Sequence, residues 1–333
     1  MRLSIKYRYM LLSIFILLVG CAYALYYLYK VEHSRKIDEI LGHQKIHALQ
    51  AARSINESFE KWNDVLFYLS QNKDVISMSS QGKYELTILL NLFKEEIKGI
   101  TRVDKIGRII YTTPFSPAAI GSNISKQKHM VKILNDHKPV VSEVFKTIQG
   151  YQAVVIHYPV FKDNVFDGTI AFLLDYQYIA KKIFEEIKIG KSGYAWMISA
   201  EGIIIYHPAP WNLGKSIFEL AKDFPSLKRV AKKMIAHKKG SDTYLYLGIN
   251  GETQNVKKIV YFLPVKINNT FWSIGVVYAE EELTASLISF RNKLVFIFIL
   301  IFGGGIFLSY ISLKAWVVIR ESKAREVAEK NFK

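Results

Sequence analysis

One cysteine, Cys21, is present in 333 residues, so no internal disulfide can staple this fold. Proline is scarce: there are eight, and none lies between residues 31 and 76, where nothing stops a long helix. Acid is short of base, with 29 Asp and Glu against 45 Lys and Arg and a formal net charge of +16. This basic excess comes without an aromatic-rich basic groove or a nucleic-acid motif, which removes nucleic acid from the expected partners. Catalytic signatures are missing too. There is no HExxH helix and no GxSxG elbow, so no catalytic residue is named. Gly190-Lys191-Ser192 and Gly214-Lys215-Ser216 look like phosphate loops, but Glu185 and Ala209 stand where the pattern needs its first glycine. The eight histidines are scattered and no cysteine accompanies them, so neither a metal nor another cofactor is expected. Half of the residues are hydrophobic, which excludes disorder.

The apolar residues are concentrated. Residues 10–29 (MLLSIFILLVGCAYALYYLY) and 294–319 (LVFIFILIFGGGIFLSYISLKAWVVI) are each long enough to cross a bilayer. About 20 helical residues at ~1.5 Å each cover a hydrocarbon core of ~30 Å. The first run carries no charge, and the second only Lys314, near its end, where the stem can reach the interface. Leu18-Val19-Gly20-Cys21 resembles a lipoprotein cleavage box, and the basic start followed by an apolar stretch also fits a signal peptide. The apolar run continues past Cys21 to Tyr29, beyond the ~7–15 residues of a signal h-region, which favours a retained anchor. Arg2, Lys6 and Arg8 precede the first run, and Arg320, Lys323 and Arg325 follow the second. Short basic flanks stay in the cytoplasm. The expected order is a cytoplasmic start (1–9), a first span (10–29), an outer region (30–293), a second span (294–319) and a cytoplasmic linker helix (320–333). That places the chain in the plasma (inner) membrane, with lipid around both spans and a large extracytoplasmic domain.

The outer region opens with a helical stripe. Ile37, Leu41, Ala48, Ala52, Ile55, Phe59, Trp62, Leu66 and Leu69 recur mostly at steps of three, four or seven, one face of a helix continuing from the first span. Its expected roles are packing on its own domain and a seam with a second copy. A duplication follows. Gly107-Arg108-Ile109-Ile110-Tyr111 matches Gly202-Ile203-Ile204-Ile205-Tyr206 at an offset of 95 residues. Pro159-Val160, Phe166 and Asp175 match Pro264-Val265, Phe271 and Glu280 at an offset of 105. Matches in the same order twice mean two copies of one unit, the second with an insertion.

Each copy opens with strands around a tight turn, 100–114 and 194–208. A helical piece follows, 125–136 in the first and 216–237 in the second. Three strands close each copy: 140–147, 153–161 and 168–176, then 243–250, 257–265 and 271–279. The expected fold class is α+β, two tandem modules of an antiparallel five-stranded sheet with helices, on a long N-terminal helix and between two transmembrane helices. The module boundaries are 30–98 for the helix and lead-in, 99–185 for the membrane-distal copy and 186–293 for the membrane-proximal one.

This order, together with the phrases GSNISKQKHMVKILNDHKPVVSEVF and KSGYAWMISAEGIIIYHP, is similar to the double Cache sensors of bacterial transmembrane receptors. The resemblance covers roughly residues 30–320, and each unit resembles a Per-Arnt-Sim-like module. It implies a sensor that binds a small molecule outside the cell, works as a homodimer and signals to a cytoplasmic output. The tail from Arg320 resembles the linker into a histidine kinase, which would act on a response regulator; a chemoreceptor or diguanylate cyclase output is the other implication. Without the resemblance, a scaffold whose outer domain binds a partner protein stays open.

In a sheet-plus-helix module the pocket lies between sheet face and helix. In the first copy that means 125–130, the strand around 155–158, and the end of the last strand. Lys126, Gln127, Lys128, His129, His157, Tyr158 and Asp175 are the expected ligand-binding residues, giving a cationic, hydrogen-bonding pocket for a carboxylate or other anion. Strand alternation puts His157 and Tyr158 on opposite faces. Double Cache sensors of amino acids carry an Arg followed by aromatics here and an Asp late in the sheet. This chain has Gln127, His129, Met130 and Leu173 at those places, so the resemblance does not extend to an amino-acid ligand.

Overall fold

The computed structural model describes residues 5–185, 187, 193–247 and 255–331. The chain divides into two units, Met1–Glu39 with Leu283–Lys333, and Ile40–Glu282.

Helix α1 (Ile5–Gln71) ends where Asn72 competes for the backbone: its Oδ1 accepts from Asp74 N at 2.9 Å and Val75 N at 3.4 Å. This starts α2 (Lys73–Ser77), so the single helix expected as far as residue 76 is two. Helix α3 (Ser80–Leu92) is capped by Ser79. The first sheet is built from β1 (Ile97–Val103), β2 (Ile109–Thr113), β3 (Val140–Val141), β4 (Phe145–Lys146), β5 (Gln152–Lys162) and β6 (Val165–Leu174), with α4 (Lys128–Asp136) inserted after β2. Its order is β2-β1-β6-β5-β3, with β4 also on β5. The strand expected over 140–147 is split because Ser142 Oγ takes the Val155 amide at 2.9 Å. Hence this sheet has six strands where five were expected.

Helix α5 (Tyr176–Phe184) leads to the second sheet, of β7 (Tyr194–Ser199), β8 (Ile204–Tyr206), β9 (Gly240–Leu247), β10 (Asn255–Ile267) and β11 (Thr270–Ala279). Helices α6 (Ile217–Leu220) and α7 (Pro225–Ile235) lie between β8 and β9 in sequence. The single helix expected over 216–237 breaks because Pro225 cannot continue a helix but fits a first turn. The order β8-β7-β11-β10-β9 repeats that of the first sheet. The duplicated turns match in detail. Gly107 and Gly202 have φ of +84° and +81°, their amides bond to Asp104 O and Ser199 O, and their carbonyls accept from Ile124 N and Ile217 N. A side chain is strained at such φ, which fixes glycine in both copies. The Gly190-Lys191-Ser192 turn and residues 248–250 of the expected strand lie outside the described residues.

One core joins the α1 stripe to the same face of both sheets. Trp62 meets Phe172 of β6 edge-on at 5.7 Å, and Phe59 meets Trp272 of β11 at 5.1 Å. Gln44, fully buried, donates to Ile259 O and Val276 O at 2.8 and 2.9 Å. The opposite faces carry their own cores. Met130 and Ile133 of α4 lie over Val103 and Ile109 in the first module. Leu227, Val230 and Met234 of α7 lie over Ile198 and Val260 in the second.

The other unit holds the flanking parts of α1 and of α8 (Glu280–Asn331), both long and apolar enough to cross a membrane. The apolar windows are unburied within the structure, unlike the core helix of a soluble protein.

Candidate functional site

The site begins with α4. His129, Met130 and Ile133 face inward, and the helix stops at His137, which takes a left-handed conformation (φ 49°) and donates its amide to Ile133 O. Under this helix β5 sends alternate side chains to opposite faces. Val154, Ile156 and Tyr158 join the α1 core, while Val155 and His157 face α4.

A small chamber of about 30 Å³ lies between α4 and the sheet. Thr101, Ile109, Ile124, Val155, His157, Ala171 and Leu173 make its floor and sides, and Gln127, His129, Phe145 and Thr147 cover it. Its volume is roughly that of one water. His129 and His157 stack at 5.2 Å, and His129 meets Phe145 at 5.0 Å. His157 Nδ1 is 2.9 Å from Thr169 Oγ1, while His129 Nε2 is buried without a hydrogen-bond partner. Burial lowers the His129 pKa to about 4. His157 is held well below its ordinary value, by burial and then by His129. Both rings are therefore neutral at pH 7.

Beyond the chamber lies an open cleft of about 610 Å³. His129, Phe145 and Gln127 border both spaces, so they form the partition. The cleft is cationic along α4 and β4, with Lys126, Lys128, Lys132 and Lys146, and its far wall comes from the second module through Glu201, Asn269 and Thr270. Lys128 pairs with Glu201 at 2.7 Å. The Asn269 side chain accepts from Val141 N at 2.7 Å and donates to Val141 O at 3.3 Å, capping the short β3. Thr270 Oγ1 donates to Glu143 Oε1 at 3.3 Å. Burial raises the Glu143 pKa, against the opposing hydrogen bonds of Ser199 and Thr270.

The structure thus brings together Lys126, Gln127, Lys128 and His129, with His157 behind the partition. Tyr158 stands on the other face of the sheet, beside Phe67 of α1 at 6.0 Å, because alternation forces it there. Asp175 lies outside both linings: its Oδ1 accepts from Tyr178 N at 3.0 Å, capping α5, and its Oδ2 pairs with Lys98 at 2.9 Å. Sequence reasoning did not name Lys132, Lys146, Glu143 or Glu201. Lys132 was within reach, one helical turn after Lys128. Glu201 and Thr270 join only through tertiary packing of the two copies.

Two other polar clusters are buried. Arg102 of β1 is fully buried, donating to Val103 O at 2.6 Å and pairing with Asp167 at 2.7 Å. Burial lowers its pKa, against the opposing pull of Asp167. In the second module Lys258 donates to Tyr194 OH at 3.0 Å and Leu247 O at 2.8 Å. Burial first, then the charge of Lys258, brings the neighbouring His207 to about 4.

Two sheets of one topology on one long helix, with a cavity under the helix of the first, are the geometry to compare. The family model described as Cache domain matches residues 33–287. The chain belongs to the Cache family. No curated protein matches the chain. Among solved Cache-like structures, an extracellular ligand-binding receptor from Desulfohalobium retbaense superposes with TM-score 0.57 at 19% identity, covering 71% of this chain and 40% of that one. This chain therefore spans less than half of that receptor. The ligand-binding domain of the Pseudomonas aeruginosa amino acid chemoreceptor PctB, in complex with L-Arg, gives 0.55 at 18% identity, covering 74% and 95%. An extracellular domain assigned to a histidine kinase, mmHK1S-Z3, gives 0.56 at 14% identity, covering 76% and 97%. At these identities the likeness is one of fold. The two Cache modules of this chain differ between themselves. Arg102 of the first corresponds to Met197 of the second, and in the first an open cleft adjoins the partition residues.

Proposed function

We propose that this chain is the input region of a bacterial transmembrane receptor. Residues 10–29 and 294–319 cross the plasma membrane, both ends lie in the cytoplasm, and the Cache pair lies outside. A small solute, a carboxylate or other anion, enters the first module at Lys126, Gln127, Lys128 and His129. It displaces the partition from His157 and shifts α4. Two copies associate along α1, and the shift passes through the helices to a cytoplasmic output, a histidine kinase with its response regulator. The observation that carries the reading is the wall of Gln127, His129 and Phe145 shared by a small chamber over the sheet and a larger cleft beyond it, in a module of the Cache family. A chemoreceptor output is the second reading, favoured by the fold likeness to PctB.

The test is thermal unfolding of the full chain in lipid nanodiscs, followed by tryptophan fluorescence, against a panel of small carboxylates, amines and sugars. At least one solute is expected to raise Tm, and Lys128→Glu with His129→Ala is expected to remove that rise. A panel without a single shift rejects the sensor reading. A shift that survives the double substitution removes those residues from the site.

A further inference from the structure

The cleft at the module junction is lined by four lysines, Lys126, Lys128, Lys132 and Lys146, and two glutamates, Glu143 and Glu201. Its size falls within the range of small-molecule sites. The amino end of α4 opens into it with no side-chain cap from Gln127 and no acid in its first turn. Lys126 and Lys128 stand there instead. The start of a helix repels cations and attracts anions. One turn along α4 comes Lys132, and β4 adds Lys146. Among the described residues only Lys128 of these four has a carboxylate within salt-bridge distance, the exposed Glu201, and such exposed pairs are easily exchanged. One buried polar atom on the same walls lacks a partner, His129 Nε2.

We infer that this cleft binds a small multivalent oxyanion, of phosphate or polycarboxylate chemistry. The anion takes Lys128 from Glu201 and is held by Lys126, Lys132, Lys146 and the open amides of α4. Because Glu201 and Thr270 come from the second module, occupancy loosens one contact between the modules and leaves that of Asn269 with Val141. This deepens the sensor reading and rests on it for the meaning of the site, but binding itself can be measured separately.

The test is calorimetric titration of the full chain in nanodiscs, at fixed ionic strength, with pyrophosphate, citrate and acetate. Saturable binding of pyrophosphate or citrate is expected, with acetate at least about tenfold weaker. Lys132→Gln with Lys146→Gln, both exposed, is expected to weaken the multivalent anion about tenfold or more. Glu201→Gln, which frees Lys128, is expected to tighten it. Whichever of the two anions binds better names the chemistry and supports the site. No binding of either, or undiminished binding by the double variant at unchanged Tm, overturns it. Binding that leaves disulfide crosslinking between cysteines placed in α8 of paired copies unaltered keeps the site and rejects the sensor reading.

Discussion

His129 and His157 carry the clearest pH dependence among single residues. Both have lowered pKa values in the folded chain, His129 at about 4 against an ordinary 6.5. Between those two pH values the unfolded chain binds more protons than the folded one, so stability falls as pH falls. It is complete above about pH 6.5, and His129 alone would cost about 3 kcal/mol by the lower end of the window. Denaturant unfolding followed between pH 7.5 and 4.5 is expected to show this slope, and His129→Phe, which keeps a ring against Phe145, to reduce it. An unchanged slope would place the titrating groups elsewhere, at His157 or His207. Reading the sequence put His129 in the site from the position of its helix. It did not find Arg102, because an arginine within a strand signals nothing until Asp167, on the bulged stretch of β6 next to Gly168, is folded against it.

At the scale of elements, the junction between modules is made by the hairpin tip of β10 and β11. Asn268 and Asn63 exchange amide hydrogen bonds of 2.9 and 3.0 Å with their side chains, and Asn269 caps β3. Asn269→Ala leaves Val141 without its partner on the exposed side. We expect a loss of about 1–3 kcal/mol and faster hydrogen exchange at the Val141 amide, with exchange in β7 unchanged. Equal protection at Val141 would mean that the cap is dispensable. Element type was readable from period and turn residues. Element ends were not, at three places where one side chain overrode the pattern: Asn72, Ser142 and Pro225. The duplication also runs deeper than the sequence matches. His137 and His237 each stop a helix in the left-handed region and lie against Phe166 and Phe271, at 4.1 and 4.7 Å.

For the whole molecule, the expected topology can be read by labelling. In a Cys21→Ser background, Thr87→Cys on α3 should react with a membrane-impermeant maleimide in intact cells. Ser322→Cys on α8 should react only after permeabilisation. The reverse pattern, or equal labelling of both, would reject two spans with an outer Cache pair. Both sites are exposed, so access to reagent and not burial decides the outcome.

What the sequence by itself determined were the two apolar runs, the helical stripe and the repeated unit. Each follows from local composition and period, which chain neighbours supply without help from distant residues. Tertiary structure alone decided which charges meet. Lys128 and Glu201 are far apart in the chain, and Asp175, close in sequence to the pocket strands, was drawn away to cap α5 and pair with Lys98. A charged side chain takes the partner that folding brings nearest, and that distance is set by how two sheets pack on one helix.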